Sequence, residues 1–232
     1  MSDRKLLNIE LGRISAEEYR SGRTPSGIVL VLDNVRSAHN TGSAFRTADA
    51  FGVDKVYLGG ITPVPPSPEL RKVALGAEEV VPSEHVADVV SLVHRLKAEG
   101  YTVIAVEQTE HSVKLNEFQK EIAGQAGNDG TGKIASQAGN DGTGKIAGQA
   151  GNDVFVIPSE ASVSRAGSPV IPGSDPESPR YALVFGNEVA GVQQEVVDAC
   201  DFALEIPQKG TKHSLNVSVS IGVVLWAISA RS

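Results

Sequence analysis

Three stretches of this chain hold the polar side chains that could do chemistry. VLDNVRSAHNTGSAFRTADAFGV, from Val31, carries Asn34, Arg36, Asn40 and Arg46. ALVFGNEVAGV, from Ala182, sets Gly186, Asn187 and Glu188 directly after a β-rich run. EIPQKGTKHSLNVSVSIGVVLWAIS, from Glu205, brings Ser214 and Asn216 to the start of an apolar helix. Each ends a β-rich run in small and polar residues, which leave backbone groups open to a ligand. Arg46 sits on a helix whose opposite face is apolar, so its guanidinium projects from a rigid element toward a cleft or solvent. At Gly186 the missing side chain lets a ligand touch backbone. Further on, Ile206, Pro207 and Gln208 leave a strand, Gly210 turns, and Ser214 or Asn216 is placed to cap the last helix. Taken singly, each feature also has a plain structural reading: a turn glycine, a solvated helical arginine, a pair of capping residues.

Other chemistries find less support. The five histidines (His39, His85, His94, His111, His213) form no metal spacing, and the single cysteine, Cys200, cannot build a zinc cage. GNDGTGKI from Gly127 has the spacing of a phosphate-binding loop, but Ile134 stands where Mg²⁺ needs Ser or Thr and no strand precedes it. The same run recurs at Gly139, which points to repeat composition. Glu78 and Glu79 are expected on a solvated turn.

Alternating strands and helices must position the three stretches. Residues 28–32 read as a β-branched strand, followed by a helix with Ala44, Phe45, Ala48 and Phe51 on one face. Residues 55–58 read as a strand, 68–75 as a short helix, 86–97 as a helix stopped by Gly100, and 101–106 as a strand. Later come strand 181–185, helix 192–199, strand 202–206 and terminal helix 215–228. This alternation predicts an α/β fold with a mainly parallel sheet covered on both faces. Between the halves, IAGQAGNDGTGK from Ile122 recurs as IASQAGNDGTGK from Ile134 and begins again at Ile146. No repeat has the apolar residues for a stacked core, so 119–179 is expected to be an irregular surface insertion.

The chain has 232 residues, 41% hydrophobic and 21% charged, which suits one globular domain. Its net charge of −7 is unevenly spread, because residues 1–46 hold seven basic side chains against five acidic ones. An acidic body with a basic end is compatible with locally bound RNA. One cysteine and no continuous apolar run at the start lead us to expect a cytoplasmic protein without a membrane span.

In order, spacing and polar identity the three stretches resemble the motifs of the SPOUT superfamily, specifically the TrmH-type RNA ribose 2′-O-methyltransferases. That resemblance implies a C-terminal trefoil knot around S-adenosylmethionine (SAM), with Phe185, Gly186, Asn187, Glu188, Ile206, Pro207, Gln208 and Leu215 at the cofactor. It implies catalytic roles for Arg46 and Asn40, completed by Ser214 and Asn216, and methyl transfer to a ribose 2′-hydroxyl of tRNA or rRNA. It further implies a homodimer in which the Arg46 of one subunit completes the other's site, and no metal. On this reading residues 1–25 are an arm, with Arg4, Lys5, Arg13, Arg20 and Arg23 available to phosphates, and 26–232 are the methyltransferase domain. A catalytically silent RNA-binding dimer and a base-directed RNA methyltransferase are the competing expectations.

Overall fold

The computed structural model describes residues 4–7, 10, 12, 15, 17, 18, 22, 24–118, 179–212 and 214–229. The expected insertion, its repeats and the Gly127 loop lie outside the described residues, apart from Pro179, as does His213. The elements are β1 (Ile28–Asp33), α1 (Ala38–Ala50), β2 (Lys55–Gly59), α2 (Pro68–Ala74), α3 (Ala77–Val80), β3 (Ser83–Val86), α4 (Val89–Ala98), β4 (Thr102–Val106), β5 (Val113–Lys114), β6 (Tyr181–Phe185), α5 (Gln194–Ala199), β7 (Phe202–Glu205) and α6 (Val217–Ser229).

The strands form one seven-stranded sheet in the order β3-β2-β1-β6-β4-β7-β5. Every neighbouring pair is parallel. Side-chain alternation explains why both faces are covered. From β1, Ile28, Leu30 and Leu32 enter one core together with Phe45 of α1, Leu70 of α2 and Ile221, Val224 and Leu225 of α6. Val29 and Val31 point the other way, into a second core with Leu92, Val93 and Leu96 of α4 and Val196 of α5. β6 divides likewise, Leu183 and Phe185 to the first core and Ala182 and Val184 to the second. The expected mainly parallel, doubly covered sheet is therefore present.

Three details differ from the sequence reading. Residues 86–97 are not one helix: Val86 ends β3, paired with Gly59, and Asp88 then accepts hydrogen bonds from the amides of Val90 and Ser91 to start α4. A capping carboxylate thus sets the helix start, where apolar periodicity alone ran it back into the strand. The short β5 and α3 also go unread, being too brief for a period to show. Glu78 is not on a solvated turn, since its side chain is only 6% exposed and lies 3.9 Å from Arg71. It also accepts the Gly76 amide at 3.0 Å, while Glu79 pairs with Arg71 at 2.8 Å.

Candidate active site

The carboxyl ends of β4, β6 and β7 open onto one cavity of about 510 Å³. Ligands in open α/β sheets gather at such strand ends, where strand order reverses. Here the chain runs outward from β1 through β2 to β3, then returns to the other side for β4 and inserts β6 between them. Of the residues expected at a cofactor, Phe185, Gly186, Asn187, Glu188, Ile206, Gln208 and Leu215 line this cavity, joined by Ser214 and Asn216. Pro207 does not: it is exposed, and in an extended run its neighbours Ile206 and Gln208 face the cavity while it faces away.

The turn after β6 is held by its own atoms. Asn187 and Gly191 exchange backbone hydrogen bonds, each at 2.9 Å, and the Asn187 side-chain oxygen accepts the amides of Val189 and Ala190. A side chain on Gly186 would collide with the backbone of Gly191 and Val192. The return of the chain against itself thus requires this glycine, as the plain turn reading expects, and leaves its backbone at the cavity wall. Glu107, just beyond β4, pins the same turn by accepting the Val192 amide at 3.0 Å and the Gln108 amide at 2.9 Å.

Glu188 ties the second stretch to the first. Its carboxylate accepts the backbone amides of Arg36 (3.0 Å) and Ser37 (3.1 Å) and the side-chain amide of Asn40 (2.9 Å). Partial burial pushes its pKa up, but these donors outweigh the burial and hold it below the ordinary carboxylate value. The Asn40 oxygen in turn accepts from the side-chain amide of Asn216 at 3.2 Å. Asn216 caps α6, its oxygen accepting the Ser218 amide at 2.8 Å and the Ser218 hydroxyl at 2.6 Å. One row, Asn216–Asn40–Glu188, therefore joins all three stretches. Of the two capping candidates Asn216 does the capping, and Ser214 is left exposed at the cavity wall.

Arg46 stands apart from this row. It lies exposed on α1, outside the cavity lining, and among the described residues no side chain pairs with it. Ser37 caps that helix, accepting the Asn40 amide at 3.2 Å. In the N-terminal arm Lys5 is exposed, whereas Arg4 is engaged by Glu10 at 2.7 and 3.0 Å. No group of His, Cys, Asp and Glu suited to a metal occurs among the described residues. No helix among them is long and apolar enough to cross a membrane.

A model of the SpoU rRNA Methylase family matches residues 27–144 and 150–226, covering all three stretches and the strands that carry them. The chain belongs to the SpoU rRNA methylase family. It is 27% identical over 206 residues to the 23S rRNA (guanosine-2′-O-)-methyltransferase RlmB of Coxiella burnetii, covering 89% of this chain and 59% of the relative. The corresponding protein of Pseudomonas putida is 26% identical over 215 residues, 93% of this chain and 63% of the relative. This SpoU methylase chain thus spans about three fifths of the length of those relatives. Its fold matches the A. aeolicus TrmH/SpoU tRNA modifying enzyme with a TM-score of 0.62 at 21% identity, covering 93% of this chain and 81% of the other. An AdoMet-bound rRNA methyltransferase from Sinorhizobium meliloti matches with a TM-score of 0.58 at 22% identity, over 89% and 57%.

Sequence reasoning missed part of this SpoU methylase cavity. Val106, Glu107 and Gln108 form one wall and Glu205 another, and none belongs to the expected cofactor set. A signal was present in the sequence, because β4 ends in a charged and a polar residue after a buried apolar run, as β6 does. Adjacency of the two strand ends, which only topology supplies, turns that signal into a wall.

Proposed function

We propose that this chain is a SAM-dependent RNA methyltransferase acting on a ribose 2′-hydroxyl of tRNA or rRNA. The carrying observation is the hydrogen-bonded row Asn216–Asn40–Glu188, which gathers the three stretches at the rim of one cavity. At about 510 Å³ the cavity falls within the common range for small-molecule sites, about 300–1,000 Å³. The names of the RlmB relatives and of the AdoMet-bound neighbour support the same reaction and cofactor.

Gly186, Asn187, Glu188, Ile206, Gln208 and Leu215 would hold SAM, the polar groups among them fixing its orientation. When bound, SAM supplies a methyl group already activated by its sulfonium, so the chain's task is alignment and help with one proton. A guanidinium offers only N–H donors and no acceptor, so Arg46 is suited to binding anionic oxygen rather than to taking a proton. It therefore acts by anchoring an RNA phosphate and stabilising the developing alkoxide, while the proton leaves to water or a phosphate oxygen. Asn40 presents the first-stretch loop, and Ser214 and Asn216 complete the polar rim.

The position of Arg46 outside the cavity favours completion of the site by a second copy of the chain. An apolar stripe on α6 supports such a homodimer: Val219, Val223 and Trp226 recur at helical spacing and are 50%, 37% and 66% exposed. The trefoil knot belongs to the same reading, supported by the return of residues 204–208 and 214–217 to the ends of β4 and β6 at the cavity. So does the division into an arm (1–25), a methyltransferase domain (26–232) and an insertion (119–179). We place the protein in the cytoplasm, beside its RNA.

Calorimetric titration with SAM, with light scattering on the same sample, tests the proposal. We expect one SAM per chain in a dimer. Incubation with tRNA and rRNA followed by mass analysis of digested nucleosides should then show a 2′-O-methylated ribose. A methyl on a base, or bound RNA with no methyl at all, would overturn it.

A further inference from the structure

Of the polar residues of the first stretch that this reading leaves without a task, Arg36 and Asn34, the second is the more heavily bonded through its side chain. Its side-chain amide donates to the Asp33 carboxylate and to the Gln193 side-chain oxygen, both at 2.8 Å. Its side-chain oxygen accepts the Ile61 amide at 3.2 Å. Its backbone carbonyl accepts the side-chain amide of Asn187 at 2.7 Å, and its backbone amide donates to Gly59 at 3.3 Å. Asp33, fully buried, also accepts the Gln193 backbone amide at 3.0 Å. The carboxamide orientation is fixed by chemistry, since an ionised carboxylate only accepts and a backbone N–H only donates.

Asn34 adopts φ +54°, a left-handed conformation that glycine reaches most easily. Glycine would satisfy the backbone, yet it would forfeit all three side-chain bonds. The neighbouring strand end is shaped around the carboxamide: Gly60 has φ +56°, and a side chain there would run into the Asn34 oxygen.

We propose that Asn34 is a positioning residue that couples the cofactor turn to the substrate-side loop. Residues 187–193 are gripped from two sides by the first stretch: Glu188 holds the amides of Arg36 and Ser37, and Asn34 with Asp33 holds Asn187 and Gln193. With both grips closed, the turn lining the cavity and the loop leading into α1, where Asn40 lies, move as one body. Cofactor occupancy then orders the loop that meets the RNA, and by linkage the ordered loop favours cofactor. This inference rests on the SAM-dependent reading of the cavity.

Asn34→Gly is the test variant, because it keeps the left-handed backbone and removes only the carboxamide. We would follow amide hydrogen exchange at residues 34–41, 61 and 187–193, with and without SAM, alongside SAM calorimetry. In the unaltered protein SAM should slow exchange at Arg36 and Ser37. In Asn34→Gly the amides of Ile61 and Gln193 should exchange faster even without ligand, and SAM should still bind within about tenfold. Its protection of Arg36 and Ser37 should be lost, with kcat lowered about tenfold or more, as misplaced reacting groups imply. Gln193→Ala, which removes one exposed partner only, should show a weaker version and guards against a variant that fails to fold. Asn34→Gly with unaltered SAM-dependent protection and kcat would overturn the inference. SAM binding that leaves Arg36 and Ser37 unprotected in the unaltered protein would overturn it too, while sparing the proposed function. No SAM binding at all would remove both.

Discussion

The cavity wall and the outer face of α1 carry similar polar residues under opposite conditions. On the wall, Asn187, Glu188 and Glu107 each use their side chains to hold backbone amides of this same chain. On α1 and the loop before it, Arg46 and Arg36 are exposed, and among the described residues neither side chain has a partner. The wall is organised in advance, so a ligand entering it need not bear the entropy of ordering it. The outer face has charge without a partner, which is what a surface needs if its partner is a separate, anionic molecule. On the proposed reading, one region is complete by itself and the other is completed by its partner.

The largest effect should come from breaking the complete region at Gly186. In Gly186→Ala the new methyl meets the backbone of Gly191 and Val192, which no side-chain rearrangement can relieve. We expect a loss of about 3 kcal/mol in urea unfolding, at the upper end for overpacking, together with loss of measurable SAM binding. Arg46→Ala should behave in the opposite way. Turnover should fall by about 10²–10³, the scale for removing one charge-stabilising donor, while the melting temperature and SAM affinity stay within error and a few-fold. A drop in SAM binding as large as the drop in rate would place Arg46 in the cavity wall and erase the contrast.

Much of this contrast was legible in the sequence, though unevenly. Strand β6 is read at its observed bounds because five apolar residues stop at a glycine, and α1 is read as a helix, though not at its bounds, because Ala44, Phe45 and Ala48 recur on one face. The polar residues that matter in the first stretch are likewise visible as a cluster. What sequence cannot give is the pairing: Glu188 lies 148 residues from Asn40, and only the insertion of β6 beside β1 makes them neighbours. Glu107 was missed for the same reason, since it gains its meaning from the 187–192 turn laid against it. Both readings of Gly186, a turn glycine and a close approach, follow from its place after a strand, and the group that approaches it here is the backbone of Gly191 and Val192.

Asn216 lies where the two regions meet, and its removal should have a middling effect. Asn216→Ala removes the cap of α6 and the bond to Asn40, so we expect a loss of about 1 kcal/mol by thermal or urea unfolding. The Ser variant, which can still cap but cannot reach Asn40 in the same way, should recover the stability more fully than the activity.

The smallest effect is a matter of pH and separates two carboxylates within the cluster. Burial raises the Asp33 pKa above its reference of 3.8, despite hydrogen bonds from the Gln193 amide and Asn34. The native state therefore takes up that proton more readily than the unfolded chain, and stability falls as pH rises through the window between 3.8 and the folded value. Glu188 runs the other way, because its folded pKa lies below the reference of 4.5. Its contribution is fully present above 4.5 and fades as pH falls below that value through the folded one. The two slopes partly cancel in the intact protein. Glu188→Gln should remove one of them, so the gap in melting temperature between intact protein and variant should be constant near neutral pH and narrow below about 4.5. A gap that stays constant into acid would mean that the Glu188 charge does not distinguish folded from unfolded chain, leaving Asn40 and the Arg36 loop held by shape rather than by the carboxylate.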